Sequence, residues 1–446
     1  MRRYASDAAG AHPAPMMRCE PTAPMMRRAP RSDALAMWGR FLYAAILIGC
    51  SLALGPVPAV AQEPRPRPDT LAADAAAPDT AAPDTARAFV PGGVYDKPFQ
   101  TRLLGRTALG GYAEAHARWQ RTDGVRDELG FQLRRWNIFT ATQVNDYIRI
   151  AAEVEFEELG REVTLEYAAI DFVIHPALTL RAGAILAPLG RFNLAHDSPQ
   201  NEFTDRPLVS TELIGTALTE AGVGVLGERP LGARGRVTYE LYAVNGFHDG
   251  VIADSPDGTR IPAGKGDARD NNASPAIVGR AAWSPTLGYE VGISAHHGAY
   301  NEFSAAGEPV ASRHDLTIAA VDAQATVRGV ELTGELVRAR IELSPGLGGV
   351  YASAQRGMYV QGTYRFGRGW VHTMPSSFFE AGVRYDDVDF DTDVAGDSVR
   401  RGTLGLNFRV GEDAVLKLNY VRGRDRDRFN NLAETAAILF SVATYF

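Results

Sequence analysis

Residues 146–158 read DYIRIAAEVEFEE, and their alternation decides the fold. Ile148, Ile150, Ala152, Val154 and Phe156 fall on one side, and Tyr147, Arg149, Ala151, Glu153, Glu155 and Glu157 on the other. A period of two is a strand; at helical spacing the same charges would scatter around the axis. Sixteen runs of this kind, the first near 107–120 and the last near 434–446, are separated by Gly, Asp, Asn and Pro. The joins alternate as well. They are short after most even-numbered runs, as in VND and HPA, and long after several odd-numbered ones, notably 188–216 and 248–274. Short turns at one end and long loops at the other, over an even number of strands, predict an all-β chain: a 16-stranded antiparallel transmembrane β-barrel of the outer-membrane type.

Solvation then assigns the two faces. An Arg or Lys at the bilayer midplane of a barrel costs about 2–4 kcal/mol, so the face with Arg149 and Glu153 points into the lumen. The same parity turns Asp171, Arg181, Arg365 and Arg384 inward. An open sheet edge in hydrocarbon leaves backbone groups unsatisfied, so the last strand must pair with the first. The chain ends on AILFSVATYF, with Phe440, Val442 and Phe446 on the lipid side. A terminal Phe after alternating apolar residues resembles the signal by which bacterial barrel-assembly machinery recognises its clients, and Thr444 departs from the usual apolar pattern.

The first hundred residues are of another kind. Phe41–Leu54 is one apolar stretch, behind Arg40 and ahead of Ala59-Val60-Ala61, which marks residues 1–61 as an export signal whose translation start is as well placed at Met37. An anchor helix, for which the stretch is short, and a lipoprotein signal at Cys50 are the alternatives. Residues 62–105 are rich in Pro, Ala, Asp and Thr, with PDT recurring, and read as a disordered periplasmic spacer before a barrel over 106–446. Both cysteines, Cys19 and Cys50, precede Gln62, which excludes a disulfide framework and a cysteine metal site from the exported chain. Removing residues 1–61 takes away seven Arg and three acids, leaving 39 basic and 50 acidic residues. That balance argues against nucleic acid as a partner, and the pattern implies no cofactor.

Three stretches add a family likeness: GGYAEAH at 110–116, HPALTLRAGAILAPLGRFN at 175–193, and EAGVGVLGE at 220–228 with YELYAVNGF at 239–247. Together they resemble the phosphate-selective porin O and P family. The resemblance implies a sixteen-stranded, usually trimeric outer-membrane channel for small solutes or ions, whose long loop after the fifth strand folds back to narrow the lumen. Here that loop is 188–216, with Arg191, His196, Asp197, Glu202, Asp205 and Arg206 as constriction candidates; the alternative is a solvated external loop. Phosphate-selecting members are understood to use a ladder of Arg leading to a Lys cluster. This chain has three lysines, Lys97, Lys265 and Lys417, so the cluster is absent. The inward charges form either opposed basic and acidic walls or salt bridges that brace the barrel.

Other functions leave weaker traces. No GxSxG or similar nucleophile motif accompanies the nine His, so an enzyme in the barrel wall lacks its chemistry. His296 and His297 sit on one run and point to opposite faces, which disfavours a shared metal ion. Asp389, Asp391 and Asp393 alternate in DDVDFDTDVAGD and could gather Ca²⁺, the alternative being a solvated external loop. A surface receptor or adhesin would use the external loops.

Overall fold

A computed structural model describes residues 101–446 apart from 105, 254–257, 267–268 and 306. The export signal, both cysteines, Lys97 and most of the spacer lie outside the described residues. Sixteen strands close into one antiparallel barrel. They are β1 (Thr107–Thr122), β2 (Val125–Gln143), β3 (Ile148–Glu157), β4 (Glu162–His175), β5 (Leu178–Leu186), β6 (Thr219–Pro230), β7 (Arg236–Val244) and β8 (Ala276–Ser284) in the first half. The second half is β9 (Tyr289–Ala299), β10 (Asp315–Val327), β11 (Val330–Ile341), β12 (Ala354–Phe366), β13 (Phe378–Asp389), β14 (Ser398–Arg409), β15 (Ala414–Arg426) and β16 (Leu432–Tyr445). Each pairs with its sequence neighbour, and β16 pairs with β1 through Thr435↔Thr122 to Tyr445↔Tyr112. A four-residue strand, Thr101–Leu104, pairs with the start of β1, within the stretch expected to be spacer.

Lateral pairing satisfies the backbone, and alternation sorts the side chains. Along β12, Val360 and Tyr364 are exposed on the outer face while Tyr359 and Thr363 are buried inside. The expected parity holds for Arg149, Glu153, Asp171, Arg181, Arg365 and Arg384 on the inner face, and for Phe440 and Val442 on the outer. Tyr147 differs: it lies outside β3, exposed, with its ring 6.2 Å from that of outward Phe172. The β1–β2 join is shorter than expected, because Asp123 and Gly124 both take positive φ in a two-residue hairpin turn. At the turn end of the wall, outward Tyr364, Phe366, Phe379 and Phe408 form a chain of ring contacts with Trp370, an aromatic girdle.

Two bulges re-aim side chains. Glu153↔Tyr167 is followed by Val154↔Leu165, so Glu166 is an extra residue in β4, and it turns inward and is buried. A second shift, between Glu114↔Arg135 and Ala115↔Leu133, leaves Arg134 extra in β2.

The interior is not evenly wet. At the loop ends of β7 to β13 the inward residues are apolar, among them Val244, Val278, Ile318, Val337, Ile341 and Val388. Alternation is lost there because these side chains pack on Leu189, Val209, Leu213 and Ile214 from the β5–β6 connection and on Phe247, Val251 and Ile261 from the β7–β8 connection. That half of the lumen is a hydrophobic core. The more polar, wet side is the one bounded by β1, β2 and β14 to β16, where Glu114, Arg118, Arg401, Asn407, Lys417 and Ser441 face inward.

Candidate pore constriction

The β5–β6 connection, residues 187–218, runs through the barrel and is bonded to inward residues of most of the wall. At its entry Gly190 has φ +70° and passes so close to Glu335 of β11 that a Cβ would lie 2.1 Å from the carboxylate, which is why glycine stands there. Glu335 accepts from the backbone N–H groups of Arg191 and Phe192, and Ser294 of β9 accepts from that of Gly190. Asn193 closes the loop base, donating to the carbonyls of Ala187 and Leu218 and accepting from the Leu218 N–H.

Further along, basic and amide side chains of three wall strands grip the carbonyls of the connection. Lys417 Nζ donates to Ser198 at 2.8 Å, and Arg409 to Pro199 at 2.8 Å. Asn407 donates to Glu202 at 2.7 Å, Arg384 to Asp205 at 2.9 Å, and Arg401 to Arg206 at 2.8 Å. Charged donors make hydrogen bonds about twice as strong as neutral ones, so this edge is firmly held. Phe203 sits between the wall glycines Gly382 and Gly405, where any Cβ would come within 3.0 Å of its ring, and the Arg384 guanidinium lies 4.9 Å over that ring. Acids hold the connection as well: Glu114 accepts from Ser198, Glu166 faces His196 at 3.3 Å, and Asp386 accepts from the Leu208 N–H.

These contacts locate each residue singled out from the sequence. Asp171 and Arg181 form a two-pronged buried pair at 2.8 and 3.0 Å, with Arg149 4.0 Å from Asp171. Glu153 accepts from Asn137. Arg365 pairs with Glu380 at 3.2 Å, and Arg384 with Asp386 at 3.0 Å. For these wall charges the arrangement is bracing within the wall and against the loop. In the connection, Arg191 bonds Glu335 through its backbone, Asp197 accepts from Tyr445, and Glu202 accepts from Gln361. Burial and the nearby carboxylates Glu331 and Glu380 push the Glu202 carboxyl above its ordinary range. Asp205 lies 2.5 Å from Arg118 and 3.5 Å from Arg401, and Arg206 donates to the carbonyl of Thr216.

Above this segment, at the loop end of the barrel, lies a cavity of about 710 Å³ lined by β1, β2, β14 and residues 204–216. Five arginines, Arg118, Arg134, Arg135, Arg206 and Arg401, line it against Glu128, Asp205 and Glu212. Of these arginines only Arg206 was singled out from the sequence. Arg118 was legible by inward parity on β1, whereas the bulge places Arg134 and no parity could.

Lys265, in the long β7–β8 connection, donates to the carbonyl of Gly215 and helps fix the segment. His296 is buried against Glu220, and His297 is exposed beside Thr317, on opposite faces as expected. Asp389, Asp391 and Asp393 do not converge on one point: their partners are Arg356, Arg428 and Ser353. Among the described residues no group of His, Cys, Asp and Glu could hold a metal ion.

The closed sixteen-stranded antiparallel barrel with its apolar outer face has the fold of outer-membrane β-barrel proteins. OmpF of Salmonella typhi, solved with daunomycin, superposes with a TM-score of 0.50 at 12% identity, covering 78% of this chain and all of that one. That likeness is one of fold. Weaker likenesses are to OmpT of Vibrio cholerae in a trimer form (TM-score 0.49, 10% identity, 77% of this chain and 100% of that one) and to the outer membrane channel DcaP of Acinetobacter baumannii (0.47, 11%, 76% and 97%). An uncharacterised protein of Aquifex aeolicus is 26% identical over 360 residues, 74% of this chain and 79% of its own length. No family model matches the chain. With lipid-facing side chains outside and a sheet that has no free edge, the chain belongs in the bacterial outer membrane.

Proposed function

We propose that the protein is a porin that lets small hydrophilic solutes diffuse passively and prefers anions at its external mouth. The carrying observation is the cavity of about 710 Å³ beside the lumen segment, lined by five arginines, of which Arg118, Arg134, Arg135 and Arg401 are paired with carboxylates and Arg206 makes no ion pair among the described residues. A narrow zone with an excess of one sign of charge selects ions of the other. The resemblance to the phosphate-selective porin O and P family supports phosphate among those anions, since guanidinium suits two-pronged contact with it. Yet Lys417, the interior lysine, is spent on loop carbonyls, which favours a broad anion preference over a dedicated phosphate site.

In a planar bilayer under a KCl gradient, the reversal potential is expected to show chloride favoured over potassium. Arg134→Glu with Arg206→Glu changes the mouth by four charges and should reverse that preference. Cation preference in the unmodified channel, or an absence of conductance, overturns the reading.

The assembly proposed is a homotrimer, as is usual in the resembling family. The outward residues of β3 to β9 support it: the only charged or imidazole side chains among them are Arg229 and His297, near the strand ends, and the rest are apolar apart from Thr219, a face suited to packing between barrels. Light scattering in detergent should give three times the mass of the chain; a monomer mass excludes the trimer.

A further inference from the structure

The outer face carries an arginine row that channel function does not use. On the outward parity, at the loop end of the barrel, lie Arg338 and Arg340 of β11, Arg356 of β12 and Arg400 of β14. Arg422, Arg424 and Arg426 of β15, then Arg121 of β1 and Arg126 of β2, continue it. In the same strands and in β13 and β16 the outward acids at that level are Asp387, Asp389 and Glu434, so nine positive charges meet three negative ones. The corresponding ends of β3 to β9 present no outward arginine. Nor do the opposite ends of β11 to β15, where the aromatic girdle stands instead.

The register sharpens the point. Arg338 lies directly across from Arg356, Arg400 from Arg424, and Arg121 from Arg126. Like charges directly opposed on one face destabilise a sheet, and the row contains three such pairs. The acids relieve some of them: Arg356 pairs with Asp389 at 3.0 Å, Arg400 with Asp387 at 3.0 Å, and Arg424 with Glu434 at 3.1 Å. Arg338, Arg340, Arg121 and Arg126 make no ion pair among the described residues. Just below the row come Leu336, Met358, Leu404 and Tyr420, the start of the apolar band. The guanidinium groups therefore stand at the boundary between acyl chains and headgroups, on the side the long loops mark as external.

We propose that this row is a docking surface for the phosphorylated glycolipid of the outer leaflet, lipopolysaccharide, with its phosphates seated between the opposed arginines and its acyl chains on the apolar band beneath. Phosphate offers the acceptors that guanidinium pairs require, and an anion between them turns repulsion into attraction. Confinement to one end fits a membrane whose two leaflets differ in phosphate-bearing lipid, and confinement to β11 through β2 leaves the apolar β3 to β9 face for barrel contacts.

The test is native mass spectrometry of the full chain, purified in detergent and stripped of lipid, titrated with lipopolysaccharide, with the same lipid after enzymatic removal of its phosphates, and with phosphatidylglycerol. The intact lipid is expected to bind at least about tenfold more tightly than either comparison lipid. Substituting Arg338→Gln, Arg356→Gln, Arg400→Gln and Arg424→Gln together should remove that advantage while conductance and heat-resistant folding stay unchanged. Equal binding of the dephosphorylated lipid, equal binding of phosphatidylglycerol, or full binding by the folded variant overturns the proposal. Should the variant fail to fold, the comparison of lipids on the unmodified chain still decides.

Discussion

Deleting Phe446 is expected to lower the amount of folded barrel in the outer membrane several-fold, read as loss of the heat-resistant band on a gel. The residue closes the seam in two ways. Its N–H donates to the carbonyl of Gly111 at 3.0 Å, and its own carbonyl accepts from the Gly111 N–H at 3.2 Å, the last backbone exchange between β16 and β1. Its ring lies 5.2 Å from that of Trp136 and so close over Gly111 that a Cβ there would fall 2.5 Å from it. Phe446 is half exposed, so losing that packing costs about 1 kcal/mol, with about 1 kcal/mol more for each hydrogen bond. A loss of this size changes cellular abundance several-fold even without any role in recognition. The proposed role as an assembly signal, with Phe440 and Val442, is separated from packing by refolding into lipid vesicles. If Phe446 acts only at the seam, the deletion lowers stability equally in vesicles and in cells. If the assembly machinery reads it, yield in cells falls well beyond what vesicle stability accounts for. Unchanged yield in both settings would remove the terminal residue from the account.

The barrel was legible because lipid and lumen impose opposite demands on neighbouring side chains. Arg149 and Glu153 had one place to go, and their parity fixed which face of β3 lines the lumen. The turns were partly legible: Asp123-Gly124 is a hairpin signal, although the break in alternation around it spans a longer stretch, 121–128. Glu166 was not, because a bulge moves it to the face opposite the one its even number predicts. Nor was the apolar inner wall, since Val337 and Ile341 face inward only because Val209, Leu213 and Ile214 arrive from another part of the chain. The constriction was reached through loop length and family likeness, but its fastening lay beyond either. Lys417 and Ser198 are 219 positions apart, and a carbonyl as partner leaves no mark on the residue that carries it. The inward parity of Arg384 is thus consistent with a charged wall or a bracing salt bridge, and neither reveals that it donates to a loop carbonyl, as Arg409 also does.

That fastening makes the second large effect predictable. Replacing residues 191–214 with a short Gly-Ser linker is expected to raise single-channel conductance several-fold, because the segment crosses the lumen from Ser294 of β9 to Ser441 of β16. The gain should come with a loss of stability, since Val209, Leu213 and Ile214 are fully buried against the inner wall and each such side chain contributes about 1.5–3 kcal/mol. The excision also strands Lys417, Arg409 and Arg384, whose carbonyl partners disappear, and the freed cations should strengthen anion preference in the widened pore. A gentler variant tests the fastening alone. Lys417→Met keeps the stem that packs inside but removes the donor to Ser198 and Phe203, so it should loosen the segment and raise the noise of the open state more than its mean current. If excision leaves conductance unchanged, the permeating path does not pass this segment, and the wet side of the lumen along β1, β2 and β14 to β16 is not the channel.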